Sequence, residues 1–315
     1  MTFHTKSKAP WILCIIHLAL LRFMLQKRTK TLLWTLLKTM KTLLTRSISG
    51  LIFITIVIGS ILWNEKAVLL FFTAISGIGL YEFHNLYQSK KKLIYPIWIS
   101  ALMGVLSFIA LIYPIYFDRQ QTVKGLVDSC LLILVLFILY TFYQLWSNRS
   151  YFLTNLCFIF FGLSYVVAPL YMGALIHLSD HSDFPILLGL FILVWSNDTF
   201  AYLFGNLFGK NKLVERISPN KTWEGFLGGY ICTIFIGYAL DTQIFGANLF
   251  WVKAAIIVSP AAVFGDLFES LLKRKNNVKD TGNIMPGHGG ILDRFDAMFF
   301  AIPFFYLWLI IYSYL

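Results

Sequence analysis

Six titratable side chains crowd residues 279–300, KDTGNIMPGHGGILDRFDAMFF: Lys279, Asp280, His288, Asp293, Arg294 and Asp296. The run leads straight into apolar AMFFAIPFFYLWLIIYSYL. A charge at the edge of hydrocarbon persists only where solvent, a counter-charge or a bound ion compensates it. Further carboxylates lie upstream. Asp198 falls inside FILVWSNDTFAYLFG (191–205), and an acid at a helix centre costs ~2.5–3.5 kcal/mol on insertion scales. Asp266 and Glu269 in GDLFESLLKRK are spaced i, i+3, as are Asp293 and Asp296, so each pair shares a helical face. Carboxylates from three helix ends converging on one pocket suit a hard divalent cation. Mg²⁺ is held by one or two carboxylates, water and substrate phosphate oxygens. The competing reading pairs each acid locally, Asp293 with Arg294 and Asp280 with Lys279, and leaves no ion to hold.

Phosphate-binding features accompany the acids. PGHGG (286–290) contains three glycines whose backbone N–H groups can approach an anion closely, although the same pattern also makes plain turns. RISPNKTWEGFLGG (216–229) predicts a helix start with Ser218 as N-cap and Pro219 at the first helical position. Lys221 and Thr222 then sit beside free N–H groups that favour phosphate. The plain alternative for Lys221 is a headgroup anchor. Gly225 and Gly229 form GxxxG, whose simplest meaning is close helix packing. GNLFGKNKL (205–213) lacks P-loop spacing and has no Ser or Thr after Lys210, which excludes that motif. His288 reads as a structural or phosphate-contacting group rather than a catalytic base.

The elements that position these residues must live in a bilayer. Of 315 residues, 58% are hydrophobic and only 13% charged, about half the charged share of a soluble domain. The apolar runs are continuous, whereas a transmembrane β-barrel needs alternating segments of ~10 residues. The pattern predicts an all-α, polytopic integral membrane protein with nine spans, at about 47–63, 66–84, 93–117, 126–146, 151–177, 184–205, 222–241, 249–272 and 296–315. Pro114 and Pro169 are the candidate bends in the long third and fifth spans. Residues 47–315 read as one transmembrane catalytic domain without a repeat. Cys14, Cys130, Cys157 and Cys232 are isolated in apolar runs and read as packing groups, not as a disulfide or zinc site.

Charge predicts the orientation. Nine Lys or Arg and no acid precede Glu65, while the other 17 basic residues nearly balance the 15 acidic ones. A basic end on an apolar chain points to anionic lipid, and the absence of a soluble basic domain argues against a nucleic-acid partner. With the N-terminus inside, 22 of the 26 Lys and Arg fall on inner segments, so the N-terminus and the 279–296 motif are expected on the cytoplasmic face. Residues 1–46 form a basic amphipathic segment with two open readings. TLLWTLLKTMKTLL (31–44) suits a helix lying in the interface, or the whole stretch is an upstream extension with synthesis starting at Met40. WILCIIHLALL (11–21) lacks a following cleavage site and is not read as a signal peptide.

SLLKRKNNVKDTGNIMPGHGGILDRFD (270–296) resembles the signature of the phosphatidate cytidylyltransferase, or CDP-diacylglycerol synthase, family. Ser270, Lys273-Arg274, Lys279-Asp280, His288-Gly289-Gly290, Asp293-Arg294 and Asp296 all stand at the family spacing, and Met285 replaces an expected Leu, Ile or Phe. NDTFAYLFGNLFGKNKL (197–213), SPNKTWEGFLGG (218–229) and GDLFESLLKRK (265–275) resemble further family blocks, so the likeness covers about 197–300, with LYEF (80–83) as an earlier echo. The resemblance implies transfer of CMP from CTP to phosphatidate, giving CDP-diacylglycerol and pyrophosphate. It also implies Mg²⁺ as cofactor and a bacterial inner membrane as location.

On this resemblance Asp280, Asp293, Asp296 and Lys221 are the expected catalytic residues, and Asp198, Asp266, Asp280, Asp293 and Asp296 the expected metal ligands. Ser218, Lys273, Arg274, Lys279, His288, Gly289, Gly290 and Arg294 are the expected substrate contacts. The expected partners are CTP, phosphatidate and membrane lipid, with a homodimer left open. Two rivals stay in view. A CTP-dependent polyprenol kinase would release CDP instead of pyrophosphate, and an ion-coupled transporter would place its acids near the midplane within paired repeats.

Overall fold

The computed structural model describes residues 40, 44–88, 97–117, 138, 152–180, 182, 184–245, 249–287 and 289–314. Eight helical stretches among them are long and apolar enough to cross a membrane. They coincide with eight of the nine expected spans; the one expected at 126–146 lies, apart from residue 138, outside the described residues, as do 1–39. The chain divides into two compact units, Met1–Ile52 and Phe53–Leu315; the elements that follow belong to the larger one.

In the larger unit, α1 (Glu65–Gln88) and α2 (Trp98–Phe117) pack side by side, followed by α3 (Phe152–Gly162). A π-helical turn, Leu163–Val167, joins α3 to α4 (Ala168–Ser179), which places Pro169 in the first turn of α4. A proline ring has no N–H to give the preceding turn, and a π turn absorbs that break without ending the span. The bend expected at Pro169 is therefore a change of helical register.

Next come α5 (Ile186–Phe208), a hairpin of β1 (Lys212–Val214) and β2 (Ser218–Thr222), and α6 (Trp223–Leu240). The expected GxxxG contact is present. A Cβ at Gly225 would meet the Ala201 carbonyl, and one at Gly229 the Asn197 carbonyl. The expected helix cap is not. Ser218 and Pro219 belong to β2, and the cap is Thr222, whose Oγ1 accepts from the Gly225 N–H at 3.2 Å. Pairing with β1 holds residues 218–222 extended, so the helix begins only where that pairing ends.

Two long helices complete the unit, α7 (Phe250–Asn276) and α8 (Leu292–Ser313). Buried Asp241 caps the start of α7, accepting from Trp251 N–H at 2.9 Å and Val252 N–H at 3.0 Å. At 27 residues α7 is longer than a bilayer requires. Its last turn carries Lys273, Arg274 and Lys275, which complement the helix dipole, and Asn277 ends it in the left-handed region at φ 55°. Aromatic packing holds the other end, where Trp251 stacks on Phe305 with centroids 5.8 Å apart.

Candidate active site

The site starts where α7 and α8 touch. Gly265 lies directly against α8, and a Cβ there would collide with the Asp296 carbonyl. That contact sets Asp266 and Glu269 on α7 next to Asp296 on α8. Asp296 feels the charges of Asp266 and Lys273, and Asp198 on α5 feels those of Asp296, Asp266 and Lys221. Asp198 is exposed on α5. Helix α5 is held to α7 beside it by the 2.5 Å hydrogen bond from Ser259 Oγ to Asn197 Oδ1.

Two lysines enter this cluster. Lys221, in the last part of β2, forms an ion pair with Asp266. Lys273 lies 2.8 Å from Asp293 Oδ1 and 3.5 Å from Glu269 Oε1. Glu269 is 0% exposed, lies beside the Asp296 carboxyl, and accepts no hydrogen bond from an N–H or hydroxyl donor among the described residues. Five carboxylates, Asp198, Asp266, Glu269, Asp293 and Asp296, therefore share two ammonium groups. Carboxylates in excess of their counter-charges are costly where they are buried, as Glu269 and Asp293 are, and a divalent cation would offset most of the excess. Among the described residues no three His, Cys, Asp or Glu groups form a ready-made cage. A donor set of one or two carboxylates still fits Mg²⁺, whose shell is usually completed by water and phosphate oxygens.

Asp293 also bonds to the loop that precedes α8. Its Oδ2 accepts from Thr281 N–H at 2.9 Å, Thr281 Oγ1–H at 3.0 Å and Gly290 N–H at 2.8 Å, while Oδ1 faces Lys273. Its oxygens are thus occupied in clamping the 280–290 loop onto the first turn of α8. A second acid grips the same loop from α1. Glu82 is 1% exposed, and its Oε2 accepts from Leu292 N–H at 2.8 Å and Thr281 Oγ1–H at 3.4 Å. Gly282 and Gly290 both lie against the Glu82 carboxylate, where any Cβ would collide. Gly289 has φ 84°, the left-handed region that glycine adopts without strain.

The remaining expected residues divide by position. Arg274 ties the end of α7 to the hairpin through Nε–H to the Ile217 carbonyl at 3.2 Å. Ser218 is half-buried in β2; Lys279, Asp280 and Arg294 are exposed around the clamped loop. His288 lies outside the described residues. Glu224 orders the turn before β1, accepting from Lys210 N–H at 3.1 Å and Asn211 Nδ2–H at 2.8 Å. Glu82 and Thr281 were missed as site residues. The available signal was an acid inside an apolar run with no Lys or Arg within four residues, the same anomaly that singled out Asp198.

Comparison with known proteins identifies the family. The family model for the cytidylyltransferase family matches residues 44–312. Among curated proteins, the chain is 34% identical over 261 residues to the phosphatidate cytidylyltransferase of Staphylococcus haemolyticus, covering 82% of this chain and 95% of that protein. It is 32% identical over 262 residues to the enzyme of the same name from Staphylococcus aureus, with the same coverage. The corresponding Staphylococcus epidermidis protein is 33% identical over 261 residues, again covering 82% and 95%.

Proposed function

The chain belongs to the cytidylyltransferase family, and from that membership we propose that it transfers CMP from CTP to phosphatidate, producing CDP-diacylglycerol and pyrophosphate. The observation that carries this reading in the geometry is the Lys221–Asp266 ion pair. It unites the SPNKTWEGFLGG block with the GDLFESLLKRK block at the crossing of α7 and α8.

In the reaction an oxygen of the phosphatidate phosphate forms a bond to the α-phosphorus of CTP, and the bond from that phosphorus to pyrophosphate breaks. The acceptor phosphate is largely ionised near neutrality, so it needs no strong base. The obstacle is repulsion between two anions, which preorganised charge relieves. Lys221 and Lys273 supply cationic groups whose present partners are carboxylates, so phosphate oxygens can replace those partners as counter-ions. Asp293 and Glu82 anchor Thr281, Gly290 and Leu292, which keeps Gly290 beside the cluster. Asp198, Asp266 and Asp296, with Glu269 behind them, are the residues that would hold Mg²⁺. When bound, the ion would neutralise triphosphate charge and stabilise the departing pyrophosphate.

The helices make this an integral membrane protein. We place it in the cytoplasmic membrane of a bacterium with the site facing the cytoplasm, where CTP is found; the skew of Lys and Arg toward the segments flanking the site supports that orientation. The deciding experiment combines purified protein, labelled CTP and phosphatidate, with and without Mg²⁺. Nucleotide-bearing lipid and equimolar pyrophosphate are expected only with the metal. Release of CDP with a newly phosphorylated lipid would establish a kinase instead.

A further inference from the structure

The π turn at Leu163–Val167 carries a hydroxyl that the chemistry above does not use. Tyr165 is 7% exposed, and its hydroxyl has no hydrogen-bond partner among the described residues. Its ring is gripped on several sides, with centroids 5.3 Å from Phe268, 5.2 Å from Phe299 and 5.8 Å from Phe83. It also lies parallel to Phe161 at 6.2 Å. Such packing leaves the ring little freedom to swing away and find water. The phenolic group is also within electrostatic reach of Glu269, Asp296, Asp266 and Asp293. A buried donor without an acceptor is costly, and π turns recur where helices serve a functional site. Here the register change and the unsatisfied donor coincide beside the acid cluster.

We propose that the Tyr165 hydroxyl is a substrate-binding group that donates a hydrogen bond to a phosphoryl oxygen in the assembled site. The proposal rests on the cytidylyltransferase reading. A neutral donor suits this position, because a further cation beside Lys221 and Lys273 would compete with Mg²⁺ for the carboxylates, whereas a hydroxyl adds a donor without adding charge. Phosphoryl oxygens reach the site from two sources, the lipid acceptor and CTP, and the kinetics distinguish them.

Tyr165→Phe keeps the ring and deletes only the oxygen, so the aromatic packing is preserved. Losing a hydrogen bond to a charged acceptor should lower kcat/KM about tenfold or more. KM for phosphatidate rises alone if the lipid is the acceptor, and KM for CTP rises alone if the nucleotide is. Melting in detergent gives a reading independent of turnover. Without substrate the variant should melt at or above the wild-type temperature, because an unpaired donor has been removed, and it should lose part of the stabilisation that the recognised substrate confers. Unchanged kinetics with an unchanged substrate-induced shift would overturn the proposal. So would an altered Mg²⁺ requirement with both KM values unmoved, which would make the hydroxyl a support for a carboxylate. A wild-type protein that forms no nucleotide-bearing lipid would instead overturn the underlying function.

Discussion

Asp293→Asn separates a loop clamp from a metal ligand. The carboxylate is 7% exposed and receives three loop donors on Oδ2 and the Lys273 ammonium on Oδ1. Asparagine keeps one acceptor oxygen. The less costly orientation turns that oxygen toward the loop and its NH₂ group toward Lys273, which leaves two donors face to face. The three loop bonds survive but lose their charge assistance, on the order of 1 kcal/mol each before non-additivity. A total of about 2–3 kcal/mol is therefore expected at the loop. If the 280–290 segment opens locally, amide exchange at Thr281 and Gly290 should accelerate about 30- to 150-fold. Hydrogen-exchange mass spectrometry on peptides spanning 280–291, in nanodiscs, measures this directly. CDP-diacylglycerol formation should fall in parallel, while the Mg²⁺ concentration needed for half-maximal residual activity stays near the wild-type value. Activity lost with exchange unchanged, or a large rise in the Mg²⁺ requirement, would refute the clamp and return Asp293 to the metal.

Four further substitutions probe neighbouring contacts. Gly290→Ala should reduce turnover at least tenfold without preventing membrane insertion, because its Cβ collides with the Glu82 carboxylate and Thr281 Oγ1; wild-type turnover would show that the loop yields freely. Asp266→Asn and Asp296→Asn should each raise the Mg²⁺ requirement about tenfold or more, read from metal titrations of activity, and an unaltered titration would remove that residue from the proposed ligand set. Lys221→Ala should raise KM for CTP, since it deletes a phosphate-seeking ammonium; an unchanged CTP dependence would favour a headgroup anchor.

The spans and the signature were legible in the sequence because each depends on local information. Crossing ~30 Å of hydrocarbon needs about 20 consecutive apolar residues, and that requirement is visible in any window of the chain. GxxxG was legible for a similar reason: four-residue spacing puts Gly225 and Gly229 on one helix face, whatever lies opposite. Asp198 and the i, i+3 pairs Asp266–Glu269 and Asp293–Asp296 were conspicuous as acids among apolar residues. Local patterns failed where a distant segment chose the conformation. Ser218-Pro219 has the chemistry of a helix start, yet pairing with Lys212–Val214 keeps it extended and passes the cap to Thr222. Glu82 meets Leu292 and Thr281 across roughly two hundred residues, a partnership no spacing rule encodes. The bonds that Asp293 makes to Lys273, Thr281 and Gly290 likewise join segments that no local spacing brings together. Periodicity and composition decide which side chains must be buried, while only the packed helices decide which groups compensate them there.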